Sequence, residues 1–163
     1  MTGGSVRLRM AVIEASQLGR LVDDLRDLVG AERDVDDPAV ARLTPDAYPD
    51  DAGASQTFQE TTRSDLLDRR SADAAVVAAG LAGLRADLSA ISEQEAFAEH
   101  EVTIGSDQVD AWLRTLTALR LVIAERIGIV DEEENRADDA RYGVYDWLAY
   151  RLESLVEAAD ELL

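Results

Sequence analysis

Cysteine is absent from this 163-residue chain, and so is lysine. Without cysteine there is no disulfide, no thiol nucleophile and no thiol-based redox sensor. Without lysine there is no Schiff base and no phosphate-loop ammonium. The sole histidine, His100, lies among Glu95, Glu99 and Glu101. Phe97 stands three residues before it, so the Glu-x-x-His pair of di-iron helical bundles is missing. A nucleophilic serine would have only His100 to activate it, and no Gly-x-Ser-x-Gly or glycine-rich phosphate loop occurs. The expectation is a non-enzymatic protein with no cofactor and no metal. Runs of eighteen apolar residues are also lacking, and MTGGSVRLRM has no long apolar segment of a secretory signal. No membrane partner and a cytoplasmic location are therefore expected.

What is present is acid. Thirty-four Asp and Glu face sixteen bases, all arginine, for a net charge of -18. Residues 1–33 are neutral, and the excess acid is carried by 34–101 and 102–163. Binding to a phosphate backbone draws on clustered cations, and no basic cluster is visible, so direct nucleic-acid binding is not expected. A basic protein partner suits this field better.

Periodicity sets the architecture. Val6-Arg7-Leu8-Arg9-Met10 alternates strictly, which predicts a strand. Leu18, Leu21, Leu25 and Leu28 recur at helical spacing, with Glu14 and Glu32 extending their stripe, and predict a helix over about 11–33. All three prolines fall in the acidic segment 34–53, where Asp37-Pro38 reads as a cap and first-turn proline for a short helix. A helix over about 62–92 is expected to start at a capping box, Thr62–Asp65, after a short one near 55–60. It aligns Leu66, Val77, Leu81, Leu84, Leu88 and Ile91, and its small-residue centre allows close helix approach. Val102-Thr103-Ile104 alternates again and pairs naturally with Val6–Met10. Ser106 or Gly105 then caps a helix over about 107–128, with Val109, Trp112, Leu113, Leu116, Leu119, Ile123 and Ile127 on one stripe and Gly128 as its stop. After an acidic connector at 129–140, a last helix over about 141–162 buries Val144, Leu148, Leu152, Leu155 and Ala159. The reading is a mainly α, single-domain bundle of four long helices plus short ones, with a two-stranded β ribbon.

Charges inside apolar stripes need an explanation. Arg120 lies about 40° from Leu116 on the helical wheel, and Arg70 and Asp73 fall on the stripe of Val77 and Leu81. A buried arginine is costly unless paired, so a network of Arg70, Asp73 and Arg120 is expected, with Glu14 or Glu60 as a fourth member. It reads first as a device fixing helix register; a ligand-binding or enzymatic polar site around Arg120 is the alternative. Arg126, at the stripe's edge, is expected in solvent. Trp147 and Tyr150 point away from the last helix's stripe and mark a candidate partner surface, with a homodimer among its uses.

Four stretches together carry a family likeness: DPAVARLTPDAY (37–48), FQETTRSDLLDRR (58–70), AWLRTLTALRLVIAERIGI (111–129) and VYDWLAYRLESLV (144–156). The chain resembles, over about 7–158, an actinobacterial family long filed as a domain of unknown function and labelled AosR-like oxidative-stress transcriptional regulators. The resemblance implies regulation of transcription under oxidative stress through contact with the transcription machinery. A DNA-binding regulator is the alternative, although no helix offers an evident recognition face. Any redox signal would have to be sensed without a thiol.

Overall fold

The alternating stretch forms strand β1, Ser5–Ala11, with Val6, Leu8 and Met10 buried and Arg7 and Arg9 exposed. This computed structural model describes residues 4–45, 52–128 and 140–162. β1 runs directly into α1, Val12–Val29, without a loop. α2 is Pro38–Leu43, α3 is Ala52–Leu81 and α4 is Glu93–Phe97. Strand β2, Glu99–Gly105, follows, then α5, Val109–Ile127, and α6, Ala140–Asp160. The fold is mainly α, with six helices and a small antiparallel sheet among the described residues. Residues 46–51 of the 34–53 loop, Pro49 among them, and the 129–139 connector lie outside the described residues.

β1 and β2 pair antiparallel, with Val6 opposite Ile104 and Leu8 opposite Val102. Their apolar face joins a core in which α1 packs on α3, α3 on α5 and α5 on α6, while α2 lies on α5. Leu18, Val22, Leu25 and Val29 of α1 meet Leu67, Ala74, Val77 and Leu81 of α3 there. Trp112, Leu116 and Leu119 of α5 and Leu148 and Leu155 of α6 complete it. A two-stranded ribbon is marginal alone, and this helical packing is what holds it.

Several boundaries differ from expectation. α1 stops at Val29, so Glu32 is exposed and off the stripe. α3 is one helix beginning at Ala52, so Thr62–Asp65 is helix interior rather than a cap. It also ends at Leu81, eleven residues early, and Leu84, Leu88 and Ile91 are half-buried outside any helix. After α3 the chain crosses α1 at Gly19, where Arg85 pairs with Asp23 at 2.9 Å and a Cβ would sit 2.4 Å from the Arg85 guanidine. Ala86 N–H donates to the Ser16 hydroxyl at 3.0 Å, anchoring the crossing. α5 starts two residues late with Gln108 at its N-cap position and no side-chain cap. Its stop at Gly128 is as read, in the left-handed conformation at φ 70°. Asp37 caps α2 through Ala39 N–H at 2.9 Å.

Candidate interaction groove and the charges around it

The in-stripe charges separate into two places. Asp73 is buried on α3, and its partner is Arg114 of α5, which reaches it with Nε at 2.8 Å and Nη2 at 3.2 Å. Arg70, one turn before Asp73, is half-buried beside this pair, and its Nη1 lies 3.5 Å from the Arg114 carbonyl. One guanidinium, that of Arg114, thus pairs with the buried carboxylate across the α3–α5 seam, and Arg70 feels its charge without bonding to it. Burial lowers the Arg70 pKa, Asp73 raises it and Arg114 lowers it further. The hydrogen bonds that Arg114 donates to Asp73 raise its own pKa.

Arg120 does not join this cluster. Its guanidinium lies 4.5 Å from the centre of the Tyr145 ring, on the side of α5 that faces α6. α5 is sandwiched between α3 and α6, so one apolar stripe serves two neighbours and its charges divide between them. Such a stack is worth about 1–2 kcal/mol when partly desolvated. Arg120→Ala should cost about that in urea unfolding, and Arg120→Met less, because the stem keeps its packing. Glu60 is exposed, beside Arg33 and Arg63 on the surface, and not part of either group. Arg126 is half-exposed but paired with Asp37 at 2.8 Å, tying α5 to the cap of α2. That bond and Ala39 N–H hold the Asp37 carboxyl below its usual range.

Glu14 forms a second polar centre. Its Oε1 accepts from Ala11 N–H at 3.2 Å, and its Oε2 accepts from the Trp147 indole at 2.9 Å and from Arg151 Nε at 3.0 Å. Arg151 Nη2 also donates to Oε2, while its Nη1 donates to the Arg9 carbonyl at 3.0 Å. Strand β1, the start of α1 and the middle of α6 are therefore clamped by one ion pair, whose side chains are 12% (Arg151) and 25% (Glu14) exposed. Nothing in the residue pattern singles out Arg151 except its position four residues after Trp147, on the same helix face.

This clamp fixes the wall of a groove of 780 Å³ between α1 and α6. Ile13, Gln17 and Leu21 of α1 line one side, Gly143, Val144 and Trp147 of α6 the other, and Phe97 of α4 the end. Its lining is mostly apolar, and Phe97 is 59% and Val144 40% exposed. Val144 therefore departs from its expected place in the core. It does lie on the apolar face of α6, but no described element covers that turn. Trp147 belongs to the groove, half-buried with its indole turned to Glu14. Tyr150 is 60% exposed beyond the groove's lining, with Arg151 5.4 Å from its ring centre.

His100 is exposed on β2, and no group of acids and histidine is arranged to hold a metal among the described residues. No helix among them is long and apolar enough to cross a membrane. The family described as a domain of unknown function (DUF2017) matches residues 1–159, and the chain belongs to it. No curated protein and no solved structure matches.

Proposed function

We propose that this member of the DUF2017 family is a non-enzymatic regulatory protein that works by docking a basic partner protein, with the α1–α6 groove as the contact site. One observation carries the reading: the groove exposes Phe97, Val144 and Trp147 on a chain otherwise crowded with acids. Contiguous apolar surface of this kind is what protein contacts use, and tryptophan is favoured at their centres. The α1 wall, Ile13 to Asp24, is about 16 Å long at the helical rise, enough for three turns of a partner helix. The charge of -18 draws a basic partner toward the groove and repels acidic ones.

Stress-linked control of transcription is the finer part of the proposal. It is supported by the resemblance to the AosR-like regulators, and it places the partner in the transcription machinery. In the absence of cysteine, this chain acts downstream of any thiol sensor rather than as one.

Gly143→Leu tests the groove without threatening the fold. A Cβ at Gly143 meets nothing within 4 Å, and Gly143 lies inside α6 and lines the groove. Leucine should raise stability by about 0.5–1 kcal/mol through helix propensity while filling the groove. Affinity capture from native lysate with wild-type bait should recover a basic protein, more at low salt than at high. Gly143→Leu bait should lose it. Equal recovery by both baits would reject the groove as the site.

A further inference from the structure

The ribbon offers a second surface whose chemistry differs from that of the groove. Val12 N–H bonds the Ala98 carbonyl at 3.1 Å and Ser106 N–H bonds the Gly4 carbonyl at 2.9 Å, at the two ends of the ladder. Hydrogen-bonded pairs alternate along an antiparallel ladder, so Val6–Ile104, Leu8–Val102 and Met10–His100 are the bonded pairs within it. The amides and carbonyls of Glu99, Glu101 and Thr103 therefore point away from β1, to the outer edge of β2. The Gly105 carbonyl points the same way and accepts from Gln108 N–H at 2.8 Å. No donor or acceptor among the described residues meets the backbone groups of Glu99, Glu101 and Thr103.

The outer edge of β1 is different. Glu14 takes the Ala11 N–H, Arg151 takes the Arg9 carbonyl, and α6 packs beside the strand. One edge of the ribbon is thus partly closed by the clamp, and the other is open from Glu99 to Thr103.

We infer that the open edge of β2 captures an extended, basic segment of a partner protein as a third strand. Backbone pairing would supply affinity, as in other strand additions. Side chains supply the choice of partner. Glu99 and Glu101 stand on the exposed face of β2, with side chains 55% and 52% exposed. Their present partners, Arg9 at 3.1 Å and Arg7 at 3.7 Å, are solvent-exposed and bind weakly, leaving each carboxylate open to a further cation on its other side. An arriving strand with arginine or lysine at alternate positions sets cations beside both acids. A second copy of this chain is the wrong occupant. Pairing β2 with β2 brings the acids of the two chains together, and pairing it with β1 requires the edge that Glu14 and Arg151 obstruct. The same charges that admit a basic strand therefore oppose self-association.

This inference rests on the reading of the chain as a protein-binding module but uses a surface separate from the groove. The test uses the full chain and a nine-residue synthetic peptide alternating arginine with valine. Amide hydrogen exchange, followed residue by residue by NMR, should slow at least about tenfold at Glu99, Glu101 and Thr103 when the peptide is added. The Gly143→Leu protein should respond identically, so failure of the groove proposal leaves this result readable. A peptide N-methylated at alternate amides should not protect them, and an acidic analogue should not bind. Glu101→Pro removes an outward amide without breaking a ladder bond and should weaken binding by at least about tenfold. Unchanged exchange with the basic peptide would overturn the inference, as would equal binding of the N-methylated peptide. Dimerisation of the chain through this edge would overturn the choice of occupant.

Discussion

Trp112→Ala should destabilise the protein by about 3–5 kcal/mol, the loss expected when a large buried aromatic is truncated. Trp112 is 1% exposed at the first turn of α5 and its ring fits against Gly80 near the end of α3. A Cβ at Gly80 would stand 2.8 Å from Cζ2 of the ring, so the glycine is the socket that lets α3 and α5 approach. Truncation loses the transfer energy of the indole and leaves a cavity beside a helix end. The seam cannot readily close, because Asp73 and Arg114 hold the same two helices apart at their pairing distance. Equilibrium unfolding in urea, with circular dichroism as the probe, measures the loss. A cost below about 1.5 kcal/mol would mean that the indole is not the keystone of the α3–α5 seam.

Glu14→Ala should cost about 2–4 kcal/mol at neutral pH, because it strands the half-buried Arg151 guanidinium and leaves the Trp147 indole and Ala11 N–H without their acceptor. The pH dependence has a definite sign. Burial alone pushes the Glu14 pKa up, but the hydrogen bonds from Arg151, Trp147 and Ala11, with the charge of Arg151, together bring it below the ordinary value of 4.5. A carboxylate whose folded pKa is depressed adds stability that is fully present above its unfolded pKa. That stability is lost as pH falls through the folded value. The difference in stability between wild type and Glu14→Gln should therefore be flat from pH 7 to about 5 and shrink below pH 4.5. Urea unfolding of the two proteins in parallel cancels the titration of the other acids. A difference that grows on acidification would contradict the assignment of Glu14 as the charged centre of the clamp.

These two sites show what the residue pattern reveals and what it leaves out. Helical spacing locates α1, α3, α5 and α6, and strict alternation locates both strands, because each face that is buried must be apolar at that period. The end of α3 is not visible in this way. Gly80 and Gly83 sit in a run of small residues that also reads as helix, and what stops the helix is the crossing over Gly19, a tertiary event. The in-stripe charges do need partners, yet spacing points to the wrong ones. Arg114 lies about 200° from Leu116 on the wheel, where a side chain is ordinarily solvated, but its long stem swings back to Asp73. Among the described residues Arg120 meets an aromatic ring and no carboxylate, and rings carry no charge by which to anticipate them. Glu14 reads only as an extension of a stripe, and its clamp draws on Trp147 and Arg151 at the far end of the chain.

The groove is the deepest case of this kind. Val144 keeps the helical period of α6, and periodicity reports that a residue is apolar, never that a neighbour exists to cover it. The groove forms because α1 and α6 are splayed where the Glu14–Arg151 pair and the Trp147 indole stand between them. A polar clamp that looks structural thus sets the shape of an apolar site, and the odd placement of Trp147 is its one hint in the sequence.

Site-specific photo-cross-linking in the native cell tests the groove most directly. A photoreactive phenylalanine analogue is placed in turn at Phe97, at Val144 and at the exposed Thr117 on α5. The expected result is one basic partner joined through the same helical segment at 97 and 144, with none at 117. Its loss in the Gly143→Leu background would complete the case. Cross-links of equal strength at all three positions, or none at the two groove positions, would contradict the groove as the docking site.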